Sequence, residues 1–131
     1  MKTHALINTF MILDQALTCT EMPVSPSLYQ DLDAQFDGFK SCVLISEYQF
    51  EEDWDTWEMH PKGDEVLYLL EGEATLCFFL DGKEREMAFS TPGSAVKVPA
   101  GTWHTARTSV PCRILFITPG EGTQNAPAPV G

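Results

Sequence analysis

Apolar and polar residues alternate along much of the chain between residues 39 and 118, and a period of two is typical of β-strands. Glycine, proline, serine and aspartate interrupt this pattern at short intervals, as they do in turns between strands. The strands that the pattern predicts are 39–50, 54–60, 65–71, 73–80, 84–89, 94–98, 103–108 and 112–118. Strands in such number, without intervening helices, predict an all-β fold in which sheet packs on sheet or closes into a barrel.

Two turns between these predicted strands carry specific sequences. Asp81-Gly82 is a strong hairpin signal, because both residue types tolerate the positive φ angles of a tight turn. Pro99-Ala100-Gly101 places proline early and glycine late, as many β-turns do. We therefore expect tight connections at both places.

One short helix is predicted before the strands. Ser25 precedes Pro26 in the order typical of a helix start, apolar residues then recur at helical spacing, and Gly38 stands where helices commonly end. Residues 26–37 are expected to be helical, and residues 5–13 to form a first strand or arm.

Two segments carry no regular pattern. Residues 14–24 are predicted to be a connecting segment. Residues 119–131 hold three prolines and three glycines with almost no apolar side chains, so we expect a loose tail or a strap over the surface.

At 131 residues the chain fits one domain with a single core. We divide this domain, residues 1–131, into an arm with a short helix at 1–38, a barrel at 39–118 and a tail at 119–131.

Charge and cysteine content narrow the partners and the compartment. Nineteen acidic against eight basic residues give a formal charge of −11, the wrong sign for binding a phosphate backbone, so we expect no nucleic-acid partner. The four cysteines lie far apart, with no close pair of the kind seen in zinc ribbons or redox motifs. We interpret them as free thiols in a reducing cytoplasm.

The apolar run Ala5 to Leu13 follows Lys2 and has some features of a signal peptide. Asn8 and Asp14 interrupt it, and no small-x-small cleavage site follows. No other stretch approaches the length of a spanning helix, so we expect a soluble, cytoplasmic protein without a membrane partner.

Candidate chemistry is concentrated in two stretches. On a strand, residues two apart share a face, so Glu58 and His60 project together, and the turn after His60 can return Glu65 to the same neighbourhood. His104 follows the turn at residues 99–101 at the start of another strand. Two imidazoles with one or two carboxylates make a site of borderline hardness, suited to one divalent ion of iron, manganese, nickel, zinc or copper.

The two stretches resemble the paired motifs of the cupin superfamily. The first motif reads histidine, any residue, histidine, three or four residues, glutamate, six residues, glycine. The second reads glycine, five residues, proline, any residue, glycine, two residues, histidine, three residues, asparagine. The residues that fit are His60, Glu65 and Gly72 in the first motif, and Gly93, Pro99, Gly101 and His104 in the second. The resemblance implies an antiparallel jelly-roll barrel (double-stranded β-helix), metal ligands at Glu58, His60, Glu65 and His104, and a homodimer.

The chain departs from these motifs at several positions. Glu58 replaces the first histidine, Glu52 stands at a glycine position, and Thr108 stands at the asparagine. A carboxylate can bind the same metals, although Glu58 could instead form an internal ion pair. Asp64 competes with Glu65 as a ligand, and the six residues before Gly72 favour Glu65.

Other residues near the motifs receive structural interpretations. The acidic run at 51–53 with Asp55 is typical of a solvated loop. Trp57 and Trp103 lie on strand faces opposite Glu58 and His104, so they are expected to pack outside the cavity, at a dimer contact or against the helix layer. In the strand at 39–50, the face that lines the cavity is either the alternating set from Cys42 to Phe50 or the opposite set.

Fold and metal site do not select one activity. The leading hypothesis is a metal-dependent enzyme, of the oxygenase or isomerase type, acting on a small organic molecule. One alternative is a non-catalytic module that binds a small molecule or metal, and another is a metal-free isomerase or epimerase with His60 or His104 as base. Homodimers of small cupins suggest pairing through sheet edges, with Leu6 to Leu13 as a contributing strand.

Overall fold

The computed structural model describes residues 1–130, and eleven strands and one helix lie within that range. In chain order these are β1 (Thr9–Leu13), β2 (Cys19–Pro23), α1 (Leu28–Gln35), β3 (Val43–Phe50), β4 (Trp57–Met59), β5 (Glu65–Glu71), β6 (Ala74–Leu80), β7 (Lys83–Phe89), β8 (Ala95–Val98), β9 (His104–Arg107), β10 (Cys112–Thr118) and β11 (Gln124–Ala126). The eight strands predicted from the alternation correspond to β3 through β10.

The strands form two antiparallel sheets. Sheet A has six strands in the order β2-β1-β3-β10-β5-β8, and sheet B has five in the order β11-β4-β9-β6-β7. The strands β2, β8, β11 and β7 end their sheets as unpaired edges. The described residues therefore form a jelly-roll sandwich, and the expectation of a closed barrel is corrected, because no hydrogen-bonded ladder joins the two sheets.

The main core lies between the sheets and is built by strict alternation. In β5 and β10, every second side chain is buried, and Leu67, Leu69 and Ile114 are fully enclosed. A second cluster joins Leu28 and Leu32 of α1 to side chains of β1 and β3. The helix thus covers one end of sheet A.

The helix and the N-terminal strand are shorter than predicted. The helix begins at Leu28 and ends at Gln35, inside the predicted 26–37, and the first strand occupies Thr9–Leu13 of the predicted 5–13. Gly38 has a φ of +70° and its backbone N–H donates to the Asp33 carbonyl, which ends the helix as the sequence indicated.

Two segments that were predicted without regular structure contain strands. The connecting segment at 14–24 contains β2, which pairs with β1 from Thr9↔Pro23 to Leu13↔Cys19. The tail contains β11, which pairs with β4. Both are edge strands with little apolar pattern of their own, so their pairing is determined by the neighbouring strand.

Two glycine positions in turns meet steric requirements. The Asp81-Gly82 hairpin forms between β6 and β7, with φ angles of 53° and 75°. At Gly72, which has a φ of +82°, an added Cβ would lie 2.0 Å from the Pro111 carbonyl oxygen, so only glycine fits.

Within residues 1–130, no helix is long and apolar enough to cross a bilayer.

Candidate metal centre

The four predicted site residues come together between the two sheets. Glu58 on β4 lies directly opposite His104 on β9, and His60 follows β4 by one residue. Glu65 opens β5 in sheet A, on the strand face that continues into the core at Leu67. The turn predicted at 61–64 forms and joins β4 to β5 across the sandwich.

The ligand-type atoms of these residues lie close to one another. His60 Nε2 is 3.3 Å from Glu65 Oε2 and 3.8 Å from Glu58 Oε2, and His104 Nε2 is 3.0 Å from Glu65 Oε1. Glu58, His60 and His104 form a possible metal-binding triad, with ligand atoms within 4.8 Å of one another. Ligand atoms bound at about 2.1 Å from one ion lie roughly 3 to 3.5 Å apart, so the spacing suits a transition metal.

The tautomers of both histidines follow from their Nδ1 partners. His104 Nδ1 is 3.0 Å from the Thr102 carbonyl oxygen, which can only accept, so Nδ1 carries the proton. His60 Nδ1 is 2.8 Å from Thr123 Oγ1, whose hydroxyl donates to the Gly120 carbonyl and therefore accepts from His60. In each neutral ring the Nε2 lone pair is thus directed at the centre, as in most histidine ligands.

The same atoms lack hydrogen-bond partners. With both rings neutral, His60 Nε2, Glu65 Oε1 and His104 Nε2 are buried without a hydrogen-bond donor. Buried polar atoms are nearly always satisfied, and here lone pairs face lone pairs. A divalent cation would satisfy all of them together, so the residues present fit a bound metal ion.

The pKa values of Glu65 and His104 show that positive charge is stabilised at the candidate metal centre. Burial alone would raise the pKa of Glu65, but the hydrogen bonds and positive charge that His104 and His60 supply when their rings are protonated outweigh it and lower the pKa to about 2. Burial alone would lower the pKa of His104, but the Glu65 carboxylate outweighs it and raises the pKa. Glu65 therefore stays ionised, and a cation beside it is stabilised.

Glu58 differs from the other three residues in its exposure. Its side chain is 35% exposed, whereas those of His60, Glu65 and His104 are 6%, 2% and 3% exposed. Partial burial and the nearby Glu65 carboxylate raise the pKa of Glu58. Glu58 is the carboxylate at the solvent side of the centre, and it faces the cavity.

Asp64, the alternative ligand, is exposed and points elsewhere. Its Oδ1 accepts a hydrogen bond of 2.9 Å from the Ala100 backbone N–H in the β8–β9 turn. Asp64 therefore fixes a turn, and of these two neighbouring acidic residues only Glu65 lies at the centre.

Two threonines that hold the centre were missed by the sequence analysis. Thr118 donates a hydrogen bond of 2.6 Å from Oγ1 to Glu65 Oε2. A polar residue at an inward position of β10, two residues after Phe116, is a signal that could have found it. Thr123 lies in the segment interpreted as a loose tail, and no local pattern marks it.

An open cavity of about 1210 Å³ leads to the centre. The β3 residues Leu44, Ser46, Tyr48 and Phe50 line it, which decides between the two faces left open by the sequence. Trp54 packs in the wall, with its ring 6.3 Å from that of His104 and 5.9 Å from that of Phe116.

The other aromatic and acidic residues near the motifs have distinct locations. Trp57 and Trp103 are buried together with Cys77, apart from the cavity lining and from α1. Their predicted place outside the cavity is confirmed; of the two surroundings predicted for them, the helix layer was wrong and the dimer contact stays a prediction. The acidic loop is exposed as expected, but it also forms part of the cavity wall.

Comparison with known proteins identifies the family to which the chain is similar. A family model for the cupin domain matches residues 45–118. Protein YdbB of Bacillus subtilis (strain 168), itself uncharacterized, is 33% identical over 69 residues, covering 53% of this chain and 55% of YdbB. The chain thus spans about half the length of that curated relative.

Solved structures show the same fold. Oxalate decarboxylase from Bacillus subtilis, which has Mn(II) centres, aligns with a TM-score of 0.54 and 20% identity over 64% of this chain and 23% of the decarboxylase chain. Hydroxypropylphosphonic acid epoxidase from S. wedmorenis aligns with a TM-score of 0.50 and 16% identity. That alignment covers 58% of this chain and 42% of the epoxidase chain. At these identities the likeness establishes the fold and leaves the activity open.

Proposed function

The chain belongs to the cupin family, and we propose that it is a metal-dependent enzyme, of the oxygenase or isomerase type, acting on a small organic molecule. The observation that carries this proposal is the convergence of buried, unpartnered lone pairs from His60, Glu65 and His104 at the inner end of a large open cavity. Such a centre has no evident structural purpose, because burying unsatisfied polar atoms costs stability.

Each of the four residues has a distinct role in this proposal. His60 and His104 would bind the ion through Nε2, and Glu65 would bind it as a fixed carboxylate held by Thr118. Glu58 would complete the set from the cavity side. The ion would act as a Lewis acid that polarises a substrate oxygen and stabilises developing negative charge.

Glu58 also suits proton transfer. Its carboxylate is partly exposed, its pKa is raised, and it borders the cavity in which a substrate would lie. A carboxyl group with a raised pKa accepts and returns a proton more readily near neutral pH. The carboxylate oxygen of Glu58 that does not bind the ion is therefore where we expect a substrate proton to be taken up.

The test begins with the metal content of protein purified without an affinity tag. We expect about one divalent ion per chain, because the chain has one proposed metal site. The variants His60→Gln and His104→Gln should lose the ion, whereas His4→Gln, the third histidine and distant from the centre, should keep it. The loaded protein should then consume oxygen or transform a member of a metabolite panel.

A metal-free isomerase or epimerase is the second candidate. The 3.0 Å separation of His104 Nε2 and Glu65 Oε1, together with the raised pKa of His104, also suits an imidazole base paired with a carboxylate. A metal content near zero that added ions do not restore would favour this candidate. Full metal content without turnover of any compound would favour a binding module.

We further propose a cytoplasmic location. The four cysteines are free thiols in the described structure, and free thiols are typical of a reducing compartment.

A further inference from the structure

The wall of the cavity is strongly acidic. Seven of its lining residues are aspartate or glutamate, and no lysine or arginine is among those that the structure describes. A cleft lined by charge of one sign concentrates ligands of the opposite sign. The cavity therefore disfavours anionic molecules before any contact with the centre.

The acidic rim, defined as Glu51, Glu52, Asp53 and Asp55 in the β3–β4 loop, is exposed. Across residues 1–130, no lysine or arginine nitrogen lies within 4.0 Å of its carboxylates, and Asp53 accepts only a backbone bond from Thr108. The arginines Arg107 and Arg113 pair with other acidic residues outside the cavity. The charge of the rim is thus uncompensated.

The centre itself would not offset this charge. If it holds a divalent ion as proposed, two carboxylates neutralise that ion and leave about zero net charge. A centre of three imidazoles and one carboxylate would instead leave about one positive charge to attract an anion. This step, and the assignment of the cavity as a substrate site, rest on the proposed function.

Aromatic rings complete the wall. Six of the lining residues are phenylalanine, tyrosine or tryptophan, and Trp54 and Phe50 meet edge to face at 5.7 Å. Indole and phenol faces attract organic cations as well as apolar groups. The unpartnered Glu65 Oε1 and His60 Nε2 indicate that an ion or a ligand belongs at the inner end of the cavity.

We propose that the cavity selects a small organic cation, with an ammonium group held among the aromatic rings and the acidic rim and a neutral oxygen donor directed at the centre. The wall disfavours anionic molecules such as free dicarboxylates and phosphonates. The acidic charge of the wall, its lack of basic residues, its aromatic faces and the neutral centre beneath it all favour a cation over an anion.

The test uses three probes of nearly the same shape and different charge. These are choline, its neutral isostere 3,3-dimethylbutanol, and 3,3-dimethylbutyrate. Calorimetric titration of metal-free and Mn(II)-loaded protein should give affinities in that order, with choline bound at least about tenfold more tightly than the carboxylate. The preference should shrink at high salt, because exposed charges are screened.

Matched charge variants assign the preference to the rim. The triple variant Glu51→Gln, Glu52→Gln, Asp55→Asn should reduce the choline preference several-fold. The control Glu73→Gln, Glu84→Gln, Glu86→Gln removes the same number of charges from exposed positions outside the cavity and should leave the preference unchanged. Equal effects of the two triple variants, or a failure of choline to bind more tightly than the carboxylate, would overturn the proposal.

Metal analysis of the same samples separates this inference from the proposed function. If the protein prefers choline but takes up no metal, the proposal of a cation-selective cavity stands and the proposal of a metal-dependent enzyme fails. If the protein binds metal but shows no charge preference, the metal-dependent enzyme stands and the cation-selective cavity fails.

Discussion

At the scale of single residues, Glu58 sets the charge of the centre. Replacing it with histidine changes the net charge of a loaded site from about zero to about plus one, and a more positive ion attracts anions more strongly. We therefore predict that Glu58→His raises the affinity of the Mn(II)-loaded protein for oxalate, by about tenfold or more. Titration calorimetry of both proteins measures this effect.

A matched variant controls for the loss of acidic charge alone. Glu52→His makes the same exchange in the acidic rim, away from the centre, and should raise oxalate affinity far less. Equal oxalate affinity of the wild-type and Glu58→His proteins would contradict the prediction.

Thr118 acts on the centre through Glu65. Thr118→Val keeps the shape of the side chain but removes the 2.6 Å hydrogen bond to Glu65 Oε2. Loss of such an outer partner typically lowers metal affinity by about 10- to 100-fold and costs about 1 to 2 kcal/mol of stability. Metal affinity by competition with a chelator and stability by urea unfolding measure the two effects separately.

The matched control is Thr105→Val. Thr105 is also buried and donates to the Thr56 carbonyl, and it lies on the face of β9 opposite His104. We expect a similar loss of stability with little change in metal affinity. If both variants lower metal affinity equally, Thr118 has no specific role in holding Glu65.

The charges of Glu65 and His104 make metal binding depend on pH. Because the pKa of His104 is raised, its stabilising contribution to the metal-free protein is present at low pH and is lost as pH rises through that raised value. The carboxylate of Glu65 stays ionised until pH falls towards about 2. Below the pKa of His104 a proton competes with the metal, and above it the metal replaces the lost positive charge.

We therefore predict that the increase in Tm on adding metal grows from about pH 5 to about pH 8. Thermal unfolding with and without Mn(II) across this range measures it. His104→Gln should show a small increase that does not depend on pH. A constant increase in the wild-type protein would contradict the assignment.

At the scale of elements, β11 connects the C-terminal segment to the centre. It pairs with β4 opposite Glu58, and the segment before it supplies Thr123 to His60. We predict that ending the chain at Thr118 lowers metal affinity by about 10- to 100-fold. Ending it at Ala126 keeps both contacts and should leave the affinity unchanged, so an equal loss in the two truncations would contradict this role.

The contrast between β10 and β11 explains how much of the fold the sequence could predict. β10 alternates buried and half-buried residues along its length, so its type and position follow from its own pattern. β11 is three residues long, Gln-Asn-Ala, and its structure depends on pairing with β4, which lies 67 residues earlier in the chain at the pair Glu58↔Asn125. β2 is similar, since Met22 is its one buried residue.

The candidate centre shows the same division between local and distant information. Glu58, His60 and Glu65 could be brought together from strand periodicity and the local turn at 61–64, and His104 joined them through the paired motifs, since its pairing with Glu58 spans 46 residues. The contact of Thr123 with His60 spans 63 residues and depends on the fold of the tail. Whether all four residues bind metal stays a prediction.

At the scale of the whole molecule, the outer face of sheet A carries an apolar row. Met11, Ile45, Ile117 and Val66 lie side by side across β1, β3, β10 and β5, and each is only half-buried. β1 is paired on both sides within the chain, so its backbone is already occupied. We propose that two chains form a homodimer by packing these faces together, since a contiguous apolar row on an outer sheet face is the kind of surface that a second chain can cover.

Charge placed in this row tests the dimer. We predict that wild-type protein has twice the mass of one chain in light scattering, and that Ile45→Glu or Ile117→Glu shifts it to monomer by weakening association at least about tenfold. The control Leu80→Glu alters an exposed leucine at the β6–β7 hairpin of sheet B and should leave the dimer intact.

Because Ile45 and Ile117 face away from the centre, the monomeric variants should still bind one metal ion per chain. A wild-type monomer over a wide concentration range would contradict the dimer, and loss of metal with dissociation would mean that the interface also supports the centre.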